Sequence, residues 1–315
     1  MTNRLLCVGL TTLDVTARPI DAIPEAETTT LIEKITLSPA GTAGGAALVA
    51  AKLGVKTALA SALGDDAAGR LVRMELEDLG IDTNLLPALP GLPTSTTILA
   101  IDSQGRRPNF HAMGASFAAE ITSATLEAAK TVRFLHYGGV GGPKLNGGPG
   151  AELLATAKAA GATITCDLIS PRGAVIEELS LLLPHVDYFM PNAGEAQFLS
   201  GQDDLARAGA FFRDLGAGAC LFKNGSNGSV IVDAEGLTRL AAHDITPIDT
   251  TSCGDSYCAG FIAGLDRGWS VRDAARLGSA VAALVAQGLG TLGMLESFEA
   301  AETLMRQGAL REITA

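Results

Sequence analysis

The sequence predicts an α/β fold: a mostly parallel sheet covered by helices on both faces, with a small β lid beside it. Three observations carry this. Short apolar runs alternate with longer segments of helical period, the pattern of repeated strand–helix–strand units. Hydrophobic residues make up 47% and charged residues 18% of the 315-residue chain, ample for a large core and too apolar for disorder. Two stretches, about 12–37 and 94–113, are extended and mixed polar, with no helical segment to cover them.

In chain order, residues 5–9 form an apolar strand closed off by Asp14, and a helix is expected at 46–53. A strand at 56–63 and a helix at 67–79 repeat the unit. The next strand, 131–137, is followed by a helix at 151–160, a strand at 163–168 and a strand at 186–190. A helix at 203–215 leads to a strand at 219–222, and helices at 255–265 and 271–287 complete the series. Within 94–113, residues 96–101 are apolar and β-branched, 103–105 turn and 108–113 return, which reads as a hairpin. No internal repeat, charge block or low-complexity linker interrupts this order, so residues 1–315 read as one domain carrying lid strands from about 12–37 and 94–113.

Composition excludes several classes of function. With 23 Lys and Arg against 34 Asp and Glu, the chain has a net charge of −11 and makes a poor counterion for nucleic acid or anionic lipid. The five cysteines, Cys7, Cys166, Cys220, Cys253 and Cys258, are odd in number and contain no Cys-x-x-Cys pair, so neither a disulfide framework nor a zinc site is expected. Cys7, Cys166 and Cys220 lie in apolar runs as small buried hydrophobes, which suits a reducing compartment. The N-terminus reads as a strand rather than a secretory leader, and no run approaches the roughly 18 apolar residues of a membrane span. A cytoplasmic location is therefore expected.

The segment of sharpest chemistry runs from Asp249 through Thr250, Thr251, Ser252, Cys253, Gly254 and Asp255 to Phe261. Ser252 to Gly254 read as a tight turn opening a helix. The first N–H groups of a helix lack partners within it, and its dipole favours anions there. Asp255, in the first turn, would face a bound anion as a base for a hydroxyl proton. An Asp in a first helical turn is also an ordinary capping residue, so the segment alone leaves both roles open.

Elsewhere, Asp14 ends a strand and can accept two hydroxyl hydrogen bonds, as a polyol requires. The run from Pro39 to Ala47 is a glycine-rich turn entering a helix, with Gly41, Thr42, Gly44 and Gly45. Asn192 and Glu195 have capping-box spacing after a strand, and Lys223-Asn224-Gly225-Ser226-Asn227-Gly228 is equally a hairpin turn or a ligand loop. The literal dinucleotide pattern from Gly288 to Gly293 follows a helix near the end of the chain, the wrong context for such a site, and no P-loop pattern is present. His111, His136, His185 and His243 show no metal-ligand spacing. Whether Arg106, Arg107 or His111 of the hairpin touches substrate is left open.

Taken together, these segments resemble the ribokinase, or PfkB, family of carbohydrate kinases. The resemblance covers about residues 5–293 and rests first on the signature from Asp249 to Asp255, where Ser252 and Cys253 replace the usual Gly and Ala. It implies a ribokinase-like three-layer sandwich. It implies Asp255 as the catalytic base, with the backbone N–H groups of Ser252, Cys253 and Gly254 as the anion hole for the transferring phosphoryl. By the same resemblance Asp14, Gly41, Thr42, Gly44 and Gly45 hold the acceptor, although the family commonly has Asn where this chain has Gly45. Asn192, Lys223, Gly225, Gly228, Ser279 and Ala282 would bind ATP, and Glu195 would organise magnesium through water. A potassium or similar monovalent ion beside Asp249 is a family-level option, and lids of this family often pair into homodimers. The turn at Gly64-Asp65-Asp66 with Gly69 matches the family as a structural element.

The resulting expectation is an ATP- and magnesium-dependent phosphotransferase acting on a hydroxyl of a sugar or sugar-like molecule. A nucleoside acceptor is the nearest rival. From other classes come a non-catalytic sugar sensor and a thiol hydrolase built on Cys253 and His243.

Overall fold

The computed structural model describes residues 3–145, 148–168 and 175–313. Among them the strands are β1 (Leu5–Gly9), β2 (Thr12–Arg18), β3 (Lys34–Ala40), β4 (Thr57–Ala60), β5 (Leu63–Gly64), β6 (Ala88–Leu89), β7 (Thr96–Ala100), β8 (Asn109–Ala112), β9 (Phe134–Val140), β10 (Thr163–Leu168), β11 (Tyr188–Phe189), β12 (Ala219–Lys223), β13 (Ser229–Asp233) and β14 (Gly236–Leu240). The helices are α1 (Gly44–Lys52), α2 (Ala67–Asp78), α3 (Ser123–Ala129), α4 (Gly148–Ala159), α5 (Val175–Leu182), α6 (Ala193–Ser200), α7 (Leu205–Asp214), α8 (Cys253–Asp266), α9 (Val271–Ala286) and α10 (Phe298–Gln307).

The main sheet has eight strands in the order β14-β13-β12-β11-β10-β9-β1-β4. From β12 to β4 every pairing is parallel, and the β12–β13 and β13–β14 ladders are antiparallel. Alternation along each strand feeds two cores. On β1, Leu6 and Val8 join the cluster under α4, α5 and α7, while Leu5 and Cys7 join the cluster under α1, α2, α8 and α10. Both faces are therefore covered, which is why these strands read as continuous apolar runs. Parallel strands of this kind open their ligand crevice beyond their C-terminal ends.

The lid is a separate four-stranded sheet, β3-β2-β7-β8. Its register sorts side chains by face. Asp14 lies opposite Ser38 and Thr97, and Thr97 lies opposite His111, giving one polar row. One residue along, Val15 lies opposite Leu37 and Ile98, and Ile98 opposite Phe110, giving an apolar row on the other face. Asp14 is buried, whereas Ile98 is 50% and Phe110 62% exposed, so the polar row faces inward and the apolar row outward.

Several expected boundaries change. The lid does not fill 12–37: residues 19–33 are outside any strand, and β3 runs on to Ala40. The expected strand 56–63 divides, because Leu63–Gly64 leaves the main sheet to pair with Ala88–Leu89. Helices α3, α5 and α10 were not expected, while α6 follows the capping-box spacing of Asn192 and Glu195; α3 and α6 each begin in a full capping box. The Asp66 turn is structural: its carboxylate caps α2 at Gly69 N (2.8 Å) and also accepts from Thr94 N (2.8 Å) and Thr94 Oγ1 (2.7 Å) at the stem of the lid.

Candidate active site

The signature segment enters α8 through Ser252, whose φ of 55° is left-handed. A residue with a Cβ is strained in that region, which is why a glycine is the usual occupant. The conformation turns the chain so that Ser252, Cys253 and Gly254 open the helix, and Ser256 N donates to Ser252 O at 2.8 Å. Asp249, buried just upstream, accepts from Thr251 N at 2.8 Å and from Gly290 N at 3.2 Å. Thr291, next to Gly290, donates to Pro39 O at 2.6 Å and from its backbone N to Ser38 Oγ at 3.2 Å. One knot thus joins the signature loop, the end of α9 and the lid strand β3.

A cavity of about 930 Å³ lies over the C-terminal ends of the strands. Ser252, Cys253, Gly254 and Asp255 line it, with Asp167, Asn192, Glu195, Lys223, Gly225, Gly228, Ser279 and Ala282. Ala242, Ile245, Pro247, Ala283 and Ala286 add apolar lining, with His243 and Arg311 beside Ala242 and Ile245. The structure therefore brings every sequence-derived nucleotide-side residue to one cleft. Gly228, at φ 83°, packs so closely on β14 that a Cβ would lie 1.9 Å from Leu240 O, so it also shapes the return strand.

Asp14 and the Gly41–Gly45 turn do not line that cavity. They border Asp255 nonetheless: a Cβ built on Gly45 would sit 3.2 Å from Asp255 Oδ2, and Asp14 acts on the same carboxyl. Thr42 donates to Gly138 O at 2.5 Å, fixing the turn on β9. Thr12 Oγ1 donates to Asp14 Oδ1 at 3.0 Å, and burial pushes the Asp14 carboxyl up to about 6.

The electrostatics concentrate negative charge around Asp255. Burial pushes its carboxyl up to about 8, helped by Asp167, Asp14 and Glu195 and opposed by Lys223. Glu195 is also raised, by burial and then Asp167. Burial acts against the charge on Lys223, but Asp167 outweighs it and the ammonium stays protonated. These two form a buried ion pair at the cleft wall, with Cys258 Sγ 3.8 Å from Lys223 Nζ and 3.5 Å from Asp167 Oδ2.

Asn192 and Glu195 form the capping box of α6. Glu195 N donates to Asn192 Oδ1 and Asn192 N to Glu195 Oε2, both at 2.8 Å. No cluster of three His, Cys, Asp or Glu able to hold a metal occurs among the described residues. The several under-neutralised carboxylates still suit a hydrated divalent cation, which needs few direct protein ligands.

Cys253 is a poor nucleophile: burial pushes its thiol up to about 12, and Sγ lies 3.6 Å from Ala282 O. A reactive cysteine needs the opposite shift. His243 is buried and pairs with Leu310 through a backbone bridge.

Asp167 escaped sequence reasoning, and Arg107 was one of three hairpin residues whose contact with substrate was left open. Asp167 is the one acid in the apolar strand β10, and a carboxylate at the C-terminal end of a parallel strand was the available signal. Arg107, from the loop between β7 and β8, also lines the cleft, and its Nη1 lies 3.5 Å from Thr251 Oγ1.

Comparison with known proteins identifies the family and the fold. Residues 2–297 match the family model described as pfkB family carbohydrate kinase. The chain is 28% identical to a nucleoside kinase of Methanothermobacter thermautotrophicus over 287 residues, covering 91% of this chain and 90% of that protein. It is also 28% identical to a ribokinase of Haemophilus influenzae, covering 76% of this chain and 78% of that protein. The structure of Arabidopsis thaliana ribokinase complexed with ribose and ATP superposes with a TM-score of 0.82 at 22% identity, over 97% of this chain and 99% of that one, which establishes likeness of fold.

Proposed function

The chain belongs to the pfkB family of carbohydrate kinases, and from that premise we propose that it moves the γ-phosphoryl group of ATP to a hydroxyl of a sugar or sugar-like acceptor, with residues 1–315 acting as one kinase domain. The observation that carries this reading is the position of Asp255: it stands at the mouth of α8, lining the large cleft and bordering Gly45 of the glycine-rich turn. A base there can reach an acceptor hydroxyl on one side while the helix N-terminus receives the phosphoryl on the other.

In this mechanism Asp14 and the turn at Gly41, Thr42, Gly44 and Gly45 hold the acceptor, and the inward polar row of the lid excludes water from it. Asp255 accepts the hydroxyl proton. Its raised pKa matches that task, since a base works best near the operating pH. The N–H groups of Ser252, Cys253 and Gly254 receive the phosphoryl oxygens. The apolar lining of the cleft, with Ser279 and Ala282, accommodates the adenine, and Asn192, Lys223, Gly225 and Gly228 flank the phosphates. A magnesium ion near Glu195 would supply charge neutralisation between the phosphates and the acidic wall. Asp249 is the position for a monovalent cation.

A nucleoside acceptor is the second reading. The similarity to a nucleoside kinase favours it, as does an aromatic pair at the end of the polar row, His111 against Phe117 at 5.9 Å. The outward apolar face, with Leu37, Ile98 and Phe110, supports self-association through the lid. The five unpaired cysteines, four of them buried, support work in a reducing compartment.

The deciding experiment measures ATP consumption with magnesium across sugars, sugar acids and nucleosides, with Asp255→Asn as control. Turnover with one acceptor, reduced about 10²–10⁴-fold in the variant while ATP still binds, supports the proposal. Undiminished turnover in the variant sinks the role of Asp255.

A further inference from the structure

Past the end of β14 the chain pairs with the segment that follows α10. His243 and Leu310 form an antiparallel bridge, Asp244 N donates to Ala309 O at 2.9 Å and Arg311 N to Ala242 O at 2.9 Å. The two segments make a narrow ribbon whose residues divide between two cavities. Ala242 and Arg311 line the nucleotide-side cleft, Leu310 lines a second cavity of about 260 Å³, and His243 lines both. The ribbon is therefore the wall between them.

The second cavity is cationic. Arg239 reaches it from β14, and Arg272 and Arg276 reach it from α9, four residues apart on one helix face. No carboxylate lines it among the described residues, in a chain whose net charge is −11. Among those residues the side chains of Arg239 and Arg272 make no ion pair and no hydrogen bond. Arg276 has only long contacts, Nη1 3.4 Å from Asp273 Oδ1 and Nη2 3.4 Å from Met305 O.

This gathering of charge works against the fold. Like charges four residues apart on a helix repel, and Arg272 in the first turn of α9 opposes the helix dipole. An anion with several oxygens reverses both effects, because guanidinium forks match phosphate geometry. The volume sets the size of the ligand. Drug-sized ligands fill pockets of about 300–1,000 Å³, so 260 Å³ suits a smaller molecule. Met305 and Leu310 in the lining offer apolar surface for a few carbons.

Two contacts tie this cavity to the nucleotide side. Leu240, in its lining, packs against the nucleotide-side loop, since a Cβ on Gly228 would run into Leu240 O. His243, in the shared wall, is 5% exposed, and its Nδ1 has no hydrogen-bond partner among the described residues, so no bond fixes that edge of the ring.

We propose that this second cavity is a regulatory site for a small phosphomonoester. Arg239, Arg272 and Arg276 hold its phosphate dianion, its carbon part lies on Met305 and Leu310, and its occupancy weakens nucleotide binding across the shared wall. The bound dianion adds negative charge one ribbon away from a cleft that must itself take up the phosphates of a nucleotide. The coupling rests on the kinase reading above, whereas the site itself does not.

The test is calorimetry on the intact protein with glycerol 3-phosphate, ribose 5-phosphate and inorganic phosphate, each with and without a saturating non-hydrolysable ATP analogue. At least one ester should bind one to one, and more tightly than inorganic phosphate. The double variant Arg239→Gln/Arg272→Gln should weaken that ester at least about tenfold, since charge-assisted hydrogen bonds carry the affinity. Its melting temperature and its turnover without ester should match wild type, because neither side chain has a protein partner to lose. Saturating ester should weaken the analogue about fivefold or more, the analogue should weaken the ester by the same factor, and the double variant should lose this effect. Absence of ester binding, binding that the double variant retains, or tighter binding of inorganic phosphate than of either ester overturns the site. Complete mutual exclusion of ester and analogue also overturns it, because the ester would then occupy the nucleotide cleft. An unchanged or improved analogue affinity overturns the regulation. Should the analogue itself not bind, the kinase reading fails, and the ester titrations of wild type and double variant still decide the site.

Discussion

Gly45 and Asp255 face each other with room for a hydrogen and little more: a Cβ on residue 45 would lie 3.2 Å from Asp255 Oδ2. That distance is tighter than ordinary van der Waals contact, so any side chain at 45 must move the carboxylate by a few tenths of an ångström.

Gly45→Ala should therefore separate stability from activity. Residue 45 lies within α1, where Ala is favoured over Gly by about 1 kcal/mol, so the melting temperature should hold or rise. Turnover should fall roughly tenfold, because small misplacements of a reacting group are costly. Melting curves and kcat on the same preparation check both halves, and an unchanged kcat would show that Asp255 is free to move aside.

Asp255 should limit stability at alkaline pH. Its folded pKa, about 8, lies above the ordinary carboxylate value of 3.8. The folded state then binds the proton more tightly than the unfolded chain, so this group favours folding at low pH and that advantage is lost as pH rises towards about 8. Asp255→Asn should melt higher than wild type at pH 9 and flatten the decline between pH 5 and 9. The same carboxyl must be deprotonated to act, so kcat/KM should climb with pH until about 8. Equal pH slopes in the two proteins would refute the assignment of a buried, high-pKa carboxyl.

Asp167→Asn should do two things at once. It strands Lys223 in the cleft wall, and breaking a buried ion pair costs about 3–5 kcal/mol. It also removes a negative neighbour of Asp255 and frees the Lys223 charge, both of which lower the Asp255 pKa. The acidic limb of the pH–rate profile should move to lower pH even as the melting temperature drops. A limb that stays in place would mean that Asp167 does not act on the base.

Ser252→Gly should stabilise the protein. A side chain at φ 55° costs about 1–2 kcal/mol, and Gly gives back roughly 0.5–1 of that in chain entropy. A gain of up to about 1 kcal/mol in chemical denaturation is expected, with turnover retained because the anion hole uses the backbone N–H. A loss of stability would show that the Ser252 side chain contributes a contact that outweighs the strain.

The parallel core was legible because its strands are buried on both faces: β1 and β10 match their apolar runs residue for residue. Several nucleotide-side residues were legible because they sit where a strand ends and a helix or turn begins, as with Asn192 and Lys223, whereas Ser279 and Ala282, inside α9, followed from the family resemblance alone. Helices α3 and α5 were not, since seven or eight residues with little periodicity are set by packing rather than pattern. Arg107 was in view among the hairpin residues, but its place at the cleft stayed open for a different reason. It lies 144 residues from Thr251, and no local pattern in a hairpin loop says which of two adjacent arginines will be spent on the turn.

The knot among Ser38, Asp249, Gly290 and Thr291 has a consequence for how the protein is made. Its members are separated by 253 residues along the chain, from Ser38 to Thr291. Asp14 and Gly45 are synthesised first and must wait for the partner helix that carries Asp255. A nascent chain can pair β4, β1, β9 and β10 of the main sheet, yet it owns no working site until the segment beyond Gly290 has left the ribosome. Such long-range closure slows folding, and it also means that incomplete chains carry no competent centre with which to waste nucleotide.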